Sequence, residues 1–308
     1  MQPASIVPAL LVGIVARGLV SDATAADLTL GGGVDLAAGV VHAPGAWTGQ
    51  AGMRQAEGNL TVTEGGFEGV VALDARVGLL PVVLFSLVPE QLTVGGDTGP
   101  VWLQAGIAPA PWRVEAVDGW DNALVTWSMA DRRALPGSLL AAEVGVGSRD
   151  RGVAFIGGLD LGQGLDLLGG VGGAVVSAPL IAGVHGRVGG DGVRVAGGVF
   201  AWPDRPAVVG EVDATLDFEG WRLIGQVTGG WNAPFGGHVE LDVLPEGIVT
   251  PVLRGELLAG VPGAAAGVRV RPVPWLFLKG EMAYADGAPQ GWVEAAVYGE
   301  TRVRGEKR

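Results

Sequence analysis

The sequence predicts an all-β fold, a transmembrane antiparallel up-and-down β-barrel of about 12–16 strands. Three observations carry that expectation. The first is the run FEGVVALDARV, Phe67 to Val77. Phe67, Gly69, Val71, Leu73, Ala75 and Val77 share one parity, while Glu68, Asp74 and Arg76 take the other. A period of two with hydrocarbon on one side and charge on the other describes a strand with two unlike faces. The second is that the same script recurs to the end of the chain. The third is composition: 48% of residues are hydrophobic and mean hydropathy is +0.39, yet 55 of 308 residues are Gly. Gly at that density disfavours long helices and suits strands at bends and close backbone approaches.

Taken in order, residues 1–26 read as a secretory signal. Ile6 to Val20 is mainly apolar, and Ala23-Thr24-Ala25 followed by Ala26 resembles a small-residue cleavage site. Residues 27–308 then form one barrel domain. Leu28, Leu30, Val34, Leu36 and Val40 alternate with Asp27, Thr29 and Asp35. Residues 45–58 read as a turn plus part of a strand. Asn59 to Glu64 alternates again, and Gly65-Gly66 turns it into the 67–77 strand. Residues 78–100 are less regular, because Pro81 interrupts an apolar run and Pro weakens a central strand. Val101, Leu103, Ala105 and Ile107 alternate with Trp102 and Gln104.

Residues 108–138 break the pattern. Pro109, Pro111 and Pro136 punctuate them, and Trp112, Trp120 and Trp127 are concentrated there. A segment of this length without regular structure is usually functional. It reads as a long loop that could fold inward as a constriction, bearing Arg113, Glu115, Asp118, Trp120, Asp121 and Asn122.

Strands return after Gly137. Leu140, Ala142, Val144 and Val146 oppose Glu143; Val153, Phe155 and Leu159 follow. Leu167 to Val184 carries no charge, but its five Gly and Pro179 favour two Gly-bent strands over a helix. Val193, Val195 and Val199 oppose Arg194, and Pro203-Asp204-Arg205-Pro206 is a turn. The next strand has the cleanest pattern. Val208, Gly210, Val212, Ala214, Leu216 and Phe218 face one way; Glu211, Asp213, Thr215 and Asp217 face the other. Three carboxylates in a dry core would be very costly, so they face water. Arg222, Gln226 and Thr228 continue the polar face, and Asn232 to Gly237 reads as a turn. Glu240 and Asp242, Arg254 and Glu256, Arg269 and Arg271, Lys279 and Glu281 then each oppose aliphatic neighbours. The final strand sets Val293, Ala295 and Val297 against Glu294 and Glu300.

The run VWLQAGIAPAPWRVEAVDGWDNALVTWS resembles the porin-like families of Gram-negative outer membranes. The corresponding residues are Gly106, Pro109, Pro111, Glu115, Trp120, Asp121, Asn122 and Ser128, followed by Leu135-Pro136-Gly137. The close resemblance covers residues 100–147. It implies a cell outer-membrane location, contact with outer-membrane lipid, and passive diffusion of small hydrophilic solutes or ions. A homo-oligomer is compatible with it, since porins are often trimers. Two features depart from the family. Aromatics are only 6%, which predicts thin interfacial girdles, and the chain ends GETRVRGEKR rather than on an aromatic residue.

In a barrel the polar faces would line the lumen. Asp35, Asp74, Glu143, Glu211, Asp213, Asp217, Glu240, Asp242 and Glu256 would make it acidic. Arg76, Arg194, Arg222, Arg254, Arg269, Arg271 and Lys279 would supply opposing charge. Charged rings bias ion passage, and the acidic excess points to a weak preference for cations. The alternative is a closed structural or binding barrel of the envelope without transport. Other classes find little support. The net charge of -12 argues against a nucleic-acid partner, and with no Cys there is no disulfide framework or thiolate metal site. A barrel hydrolase would need a nucleophile and base. The three His, at 42, 185 and 238, are far apart, and no HExxH, GxSxG or Walker pattern is present. No cofactor is expected. A Ca²⁺ site around Asp118, Asp121 and Asn122 would have suitable oxygen donors but lacks the spacing of an EF-hand.

Overall fold

A computed structural model describes residues 27–80, 84–110, 124, 137–149, 151–161, 178–190, 192–204, 206–285 and 287–304. The described residues form sixteen strands and no helix. They are β1 (Asp27–Ala43), β2 (Ala46–Glu64), β3 (Phe67–Leu80), β4 (Leu84–Asp97), β5 (Val101–Pro109), β6 (Ser138–Ser148), β7 (Arg151–Asp160) and β8 (Leu180–Gly190). There follow β9 (Val193–Trp202), β10 (Ala207–Phe218), β11 (Trp221–Trp231), β12 (Ala233–Val243), β13 (Val249–Leu258), β14 (Val261–Val273), β15 (Leu276–Ala285) and β16 (Ala288–Arg304). Each strand pairs antiparallel with its sequence neighbours, and β1 pairs with β16, which closes the barrel. Closure leaves no edge, so the sheet satisfies its own backbone hydrogen bonds, as a structure immersed in lipid must. The proposed secretory signal, residues 1–26, lies outside the described residues.

The alternation seen in sequence sorts the two faces. Outward side chains are aliphatic and bare: Val293 is 61% exposed, Val212 57% and Met282 76%. Inward ones are charged and covered: Asp35 and Asp74 are 0% exposed and Glu211 2%. A water-soluble barrel would reverse this arrangement. Exposed aromatics are few, and apart from Phe155 in the middle of β7 they gather at strand ends. Phe67, Phe218, Trp221 and Trp275 mark one end of the barrel; Trp47, Trp231, Phe235 and Tyr284 mark the other. The low aromatic content therefore still supplies two belts.

The ends differ. Both described termini, Asp27 and Arg304, sit at the end where connections are short, such as 65–66, 219–220 and 274–275. The long connections, 110–137 and 161–179, lie at the opposite end. One tight turn there is a single residue, Asn232, at φ 54. Its amide donates to the Pro206 carbonyl at 2.7 Å.

One reading of the sequence is corrected, and Pro81, on which another turned, lies outside the described residues. Residues 45–58 are a turn plus part of a strand as read: Gly45 is in the turn, at φ 91, and β2 starts at Ala46 and runs through the rest. Asn232 to Gly237 is not a turn, because β12 begins at Ala233. Pro89 lies within β4, but the β3–β4 register shifts beside it, between Ala72 and Leu73. Pro is tolerated there because the ladder is already interrupted. Of the apolar run Leu167 to Val184, the part from Leu180 onward is strand β8, and residues 167–177 lie outside the described residues.

Candidate functional site

The interior wall is the chemically distinctive surface. Strand parity turns all sixteen charged residues of the predicted lining inward, and the barrel assembles them into groups. On the wall of β1, β2, β15 and β16, Glu294 receives Lys279 Nζ at 2.5 Å on one oxygen and Arg54 Nη1 at 2.5 Å on the other. Asp35 lies buried on the same wall. On β2 to β4, Arg76 pairs with Asp74 at 2.5 Å and with Glu90 at 3.0 Å. The Gln55 amide donates to Glu57 and Glu90, both at 3.2 Å. On β12 and β13, Arg254 lies 3.5 Å from Glu240 and 4.0 Å from Glu256.

The remaining predicted residues lie nearer the short-turn end. Arg194 is 3.9 Å from Asp213, beside Glu211 on β10. Arg222 pairs with Asp217 at 2.5 Å, and Glu246 sits 3.7 Å from both Arg222 and Arg271. Arg269 donates to the Pro245 carbonyl at 2.9 Å, with Asp242 on the neighbouring wall. Glu143 on β6 pairs with His185 on β8, reaching over Ala154 of β7. His238, the other histidine considered for a hydrolase, is 4% exposed on β12, so the two histidines stand on separate stretches of wall.

Arg113, Glu115, Asp118, Trp120, Asp121 and Asn122 lie outside the described residues. The one described residue inside that segment is Leu124, which is 2% exposed. It packs with Val252, Ala265 and Ala283 of β13, β14 and β15. Those strands stand opposite β5 and β6 in the ring, so the β5–β6 connection reaches across the interior at Leu124. A second apolar cluster, with Leu139, Ile156, Ile181, Phe200 and Trp202, lines the inside near the long-connection end. Trp202 there donates to Asp160 at 2.8 Å.

Several interior residues escaped the sequence reading. Arg54, Gln55 and Glu57 lie in the stretch of β2 that read only as a turn plus part of a strand, and Glu90 lies on the irregular-looking β4. Glu294 carries the charge complementary to Lys279. The register signal was available only for Glu294, whose strand alternates cleanly. Among the described residues, no group of three His, Cys, Asp or Glu could hold a metal ion.

The arrangement is a closed sixteen-strand barrel, oily outside and ionic inside, with Leu124 of the β5–β6 connection packed in its interior. No sequence-family model and no curated protein sequence matches the chain. Solved structures do match. The Salmonella typhi OmpF complex with daunomycin superposes with a TM-score of 0.66 at 10% identity, covering 88% of this chain and 97% of that one. A mutant of the Rh. blastica porin gives 0.62 at 9% identity, covering 89% and 100%. The anion-selective porin from Comamonas acidovorans gives 0.59 at 14% identity, covering 90% and 100%. The chain has the bacterial porin fold. At these identities the likeness is one of architecture, and the interior chemistry belongs to this chain's own residues. Within the porin fold, what can differ is the set of side chains that the sixteen strands turn inward.

Proposed function

We propose that the protein is a porin-like channel of the bacterial outer membrane, through which small hydrophilic solutes or ions diffuse passively. The observation that carries this reading is the two-faced wall: exposed aliphatic side chains outside and charged side chains inside a closed barrel. Such a wall hides hydrocarbon in lipid and gives a solute polar partners along its path. In this reading the short connections face the periplasm and the long ones the outside. The segment 108–138, whose Leu124 packs on the far wall, narrows the passage. The charged residues of the wall line the pore, and their acidic excess gives it a weak cation preference. No step of covalent chemistry is involved.

A second reading has its own observation. The side chains of Lys279 and Arg254 are each 1% exposed, and Asp35 is wholly covered. An interior packed this closely on one wall suits a closed structural barrel. Single-channel recording of the detergent-refolded protein in a planar bilayer, under a salt gradient, separates the two. Discrete steps with a cation-biased reversal potential are expected for the channel. A heat-modifiable barrel that inserts but gives no steps would favour the closed form.

A further inference from the structure

Packing is uneven around the interior. Where β1, β2 and β13 to β16 carry long, paired side chains, the wall of β5 to β7 carries Gly106, Ala141, Gly152 and Ala154. Above this low floor is a cavity of about 200 Å³, rimmed by Gln91, Trp102, Gln104, Glu143, Arg149 and Arg187. That is smaller than the roughly 300–1,000 Å³ typical of pockets for drug-sized ligands.

Three of the groups around this cavity offer donors. Arg187, opposite Gly152 in the β7–β8 ladder, makes no ion pair within 4 Å among the described residues; the carboxylate it acts on is Asp213, in line with it across Ala196 of β9. Arg149 binds Glu68 at 2.8 Å through Nη1, but its Nε is buried without a partner. Trp102 is 6% exposed, and its indole nitrogen also has no partner. Buried donors left unpaired in this way are costly and call for a ligand or ordered water. They are also held in place. The Arg149 guanidinium lies 5.7 Å from the Trp102 ring centre, within cation–π range. A Cβ on Gly145 would fall 2.3 Å from Trp102 Nε1, and one on Gly95 would fall 2.8 Å from Arg149 Nη2. Both glycines leave room that these two side chains fill. The carboxylate on the rim, Glu143, is engaged by His185.

We propose that this cavity, at the part of the β4–β8 wall toward the short turns where Trp102, Arg149 and Arg187 stand, binds a small oxyanion of the phosphate, sulfate or short carboxylate class. Arg187 supplies positive charge without a direct ion pair, and Arg149 and Trp102 supply fixed N–H donors. Guanidinium groups suit oxyanions because their planar donor fork matches the oxygens. The site reverses the sign of its surroundings, since most of the remaining interior is acidic. Inside a barrel, its ligand is a free solute rather than a lipid headgroup.

The test is calorimetric titration of inorganic phosphate into the detergent-refolded barrel at low ionic strength. One saturable site is expected. Arg187→Gln should weaken it roughly tenfold or more, the scale of a charge-assisted hydrogen bond. Trp102→Phe, which keeps a ring but removes the N–H, should weaken it by a smaller factor. Arg302→Gln, at the same end but away from the cavity, should leave it unchanged. A folded barrel showing no saturable heat at millimolar phosphate would overturn the proposal, as would undiminished binding by both Arg187→Gln and Trp102→Phe. Binding does not require conduction. Phosphate binding without bilayer steps would remove the channel reading alone, and steps without binding would remove this one alone.

Discussion

At the scale of single residues, Glu294 is informative because it is held from two sides. Lys279 on β15 takes one oxygen and Arg54 on β2 the other, and the Lys279 and Glu294 side chains are 1% and 0% exposed. Removing one partner of a covered ion pair leaves the other charge without its compensation, which costs more than the pair itself contributes. Lys279→Met should therefore lower folding stability by about 3 kcal/mol, read as a fall in the urea midpoint of refolding into detergent or lipid. Replacing both partners, Lys279→Met with Glu294→Leu, should recover part of that loss, because neither of these two covered charges is then stranded and only the part-exposed Arg54 loses its Glu294 contact. If the double variant is as unstable as the sum of the two single ones, the pair is not coupled in this way.

At the scale of elements, β2 shows both what a sequence pattern carries and where it fails. Asp35 faces Gln55 across the β1–β2 ladder, but Leu36 faces Met53, so Arg54 is an extra residue with no opposite number. The β2–β3 register shifts over the same stretch, between Met53 and Ala56. A bulge of this kind re-aims a side chain, which is how Arg54 reaches Glu294 while its neighbour Gln55 reaches Glu57 and Glu90. Period-two reading cannot follow a strand through such a site, and Thr48 to Gly52 offers no aliphatic face to reveal it. From β10 onward most strands are regular, outward Val and Leu alternate with inward charge, and the faces were legible directly. The inward turn at Leu124 was not, because a lone apolar residue in an irregular segment says nothing about the wall it will meet. The bulge makes a sharp prediction. Deleting Arg54 removes the β1–β2 bulge and the β2–β3 shift beside it, leaving the separate shift at Ala51–Gly52, so the barrel should still fold, keep its heat-modifiable mobility on gels, and lose the contacts Arg54 makes, that with Glu294 among them. Deleting Asp213 from the regular strand β10 should abolish folding, because it turns half of that strand inside out.

At the scale of the whole molecule, the net charge of -12 is a property of the field rather than the fold. Composition alone could not divide that excess between lumen and outside surface; strand parity assigns much of it to the inner wall. Glu211 and Asp213 stand on the same inward face as Asp217, with Arg194 the base 3.9 Å from Asp213 and Arg222 taking Asp217. If the interior conducts, this stretch contributes negative potential along the path, and counter-ions accumulate there. Neutralising it with Glu211→Gln, Asp213→Asn and Asp217→Asn together should move the reversal potential away from cation preference while discrete conductance steps persist. Glu219→Gln, on the turn between β10 and β11, should shift it less, because a charge at the rim is better screened. The difference should be largest at low ionic strength and shrink near 1 M salt, where the Debye length falls to about 3 Å. A triple variant with an unchanged reversal potential at low salt would mean that ions do not pass this wall. The conducting path would then have to lie away from β10, along another stretch of the wall.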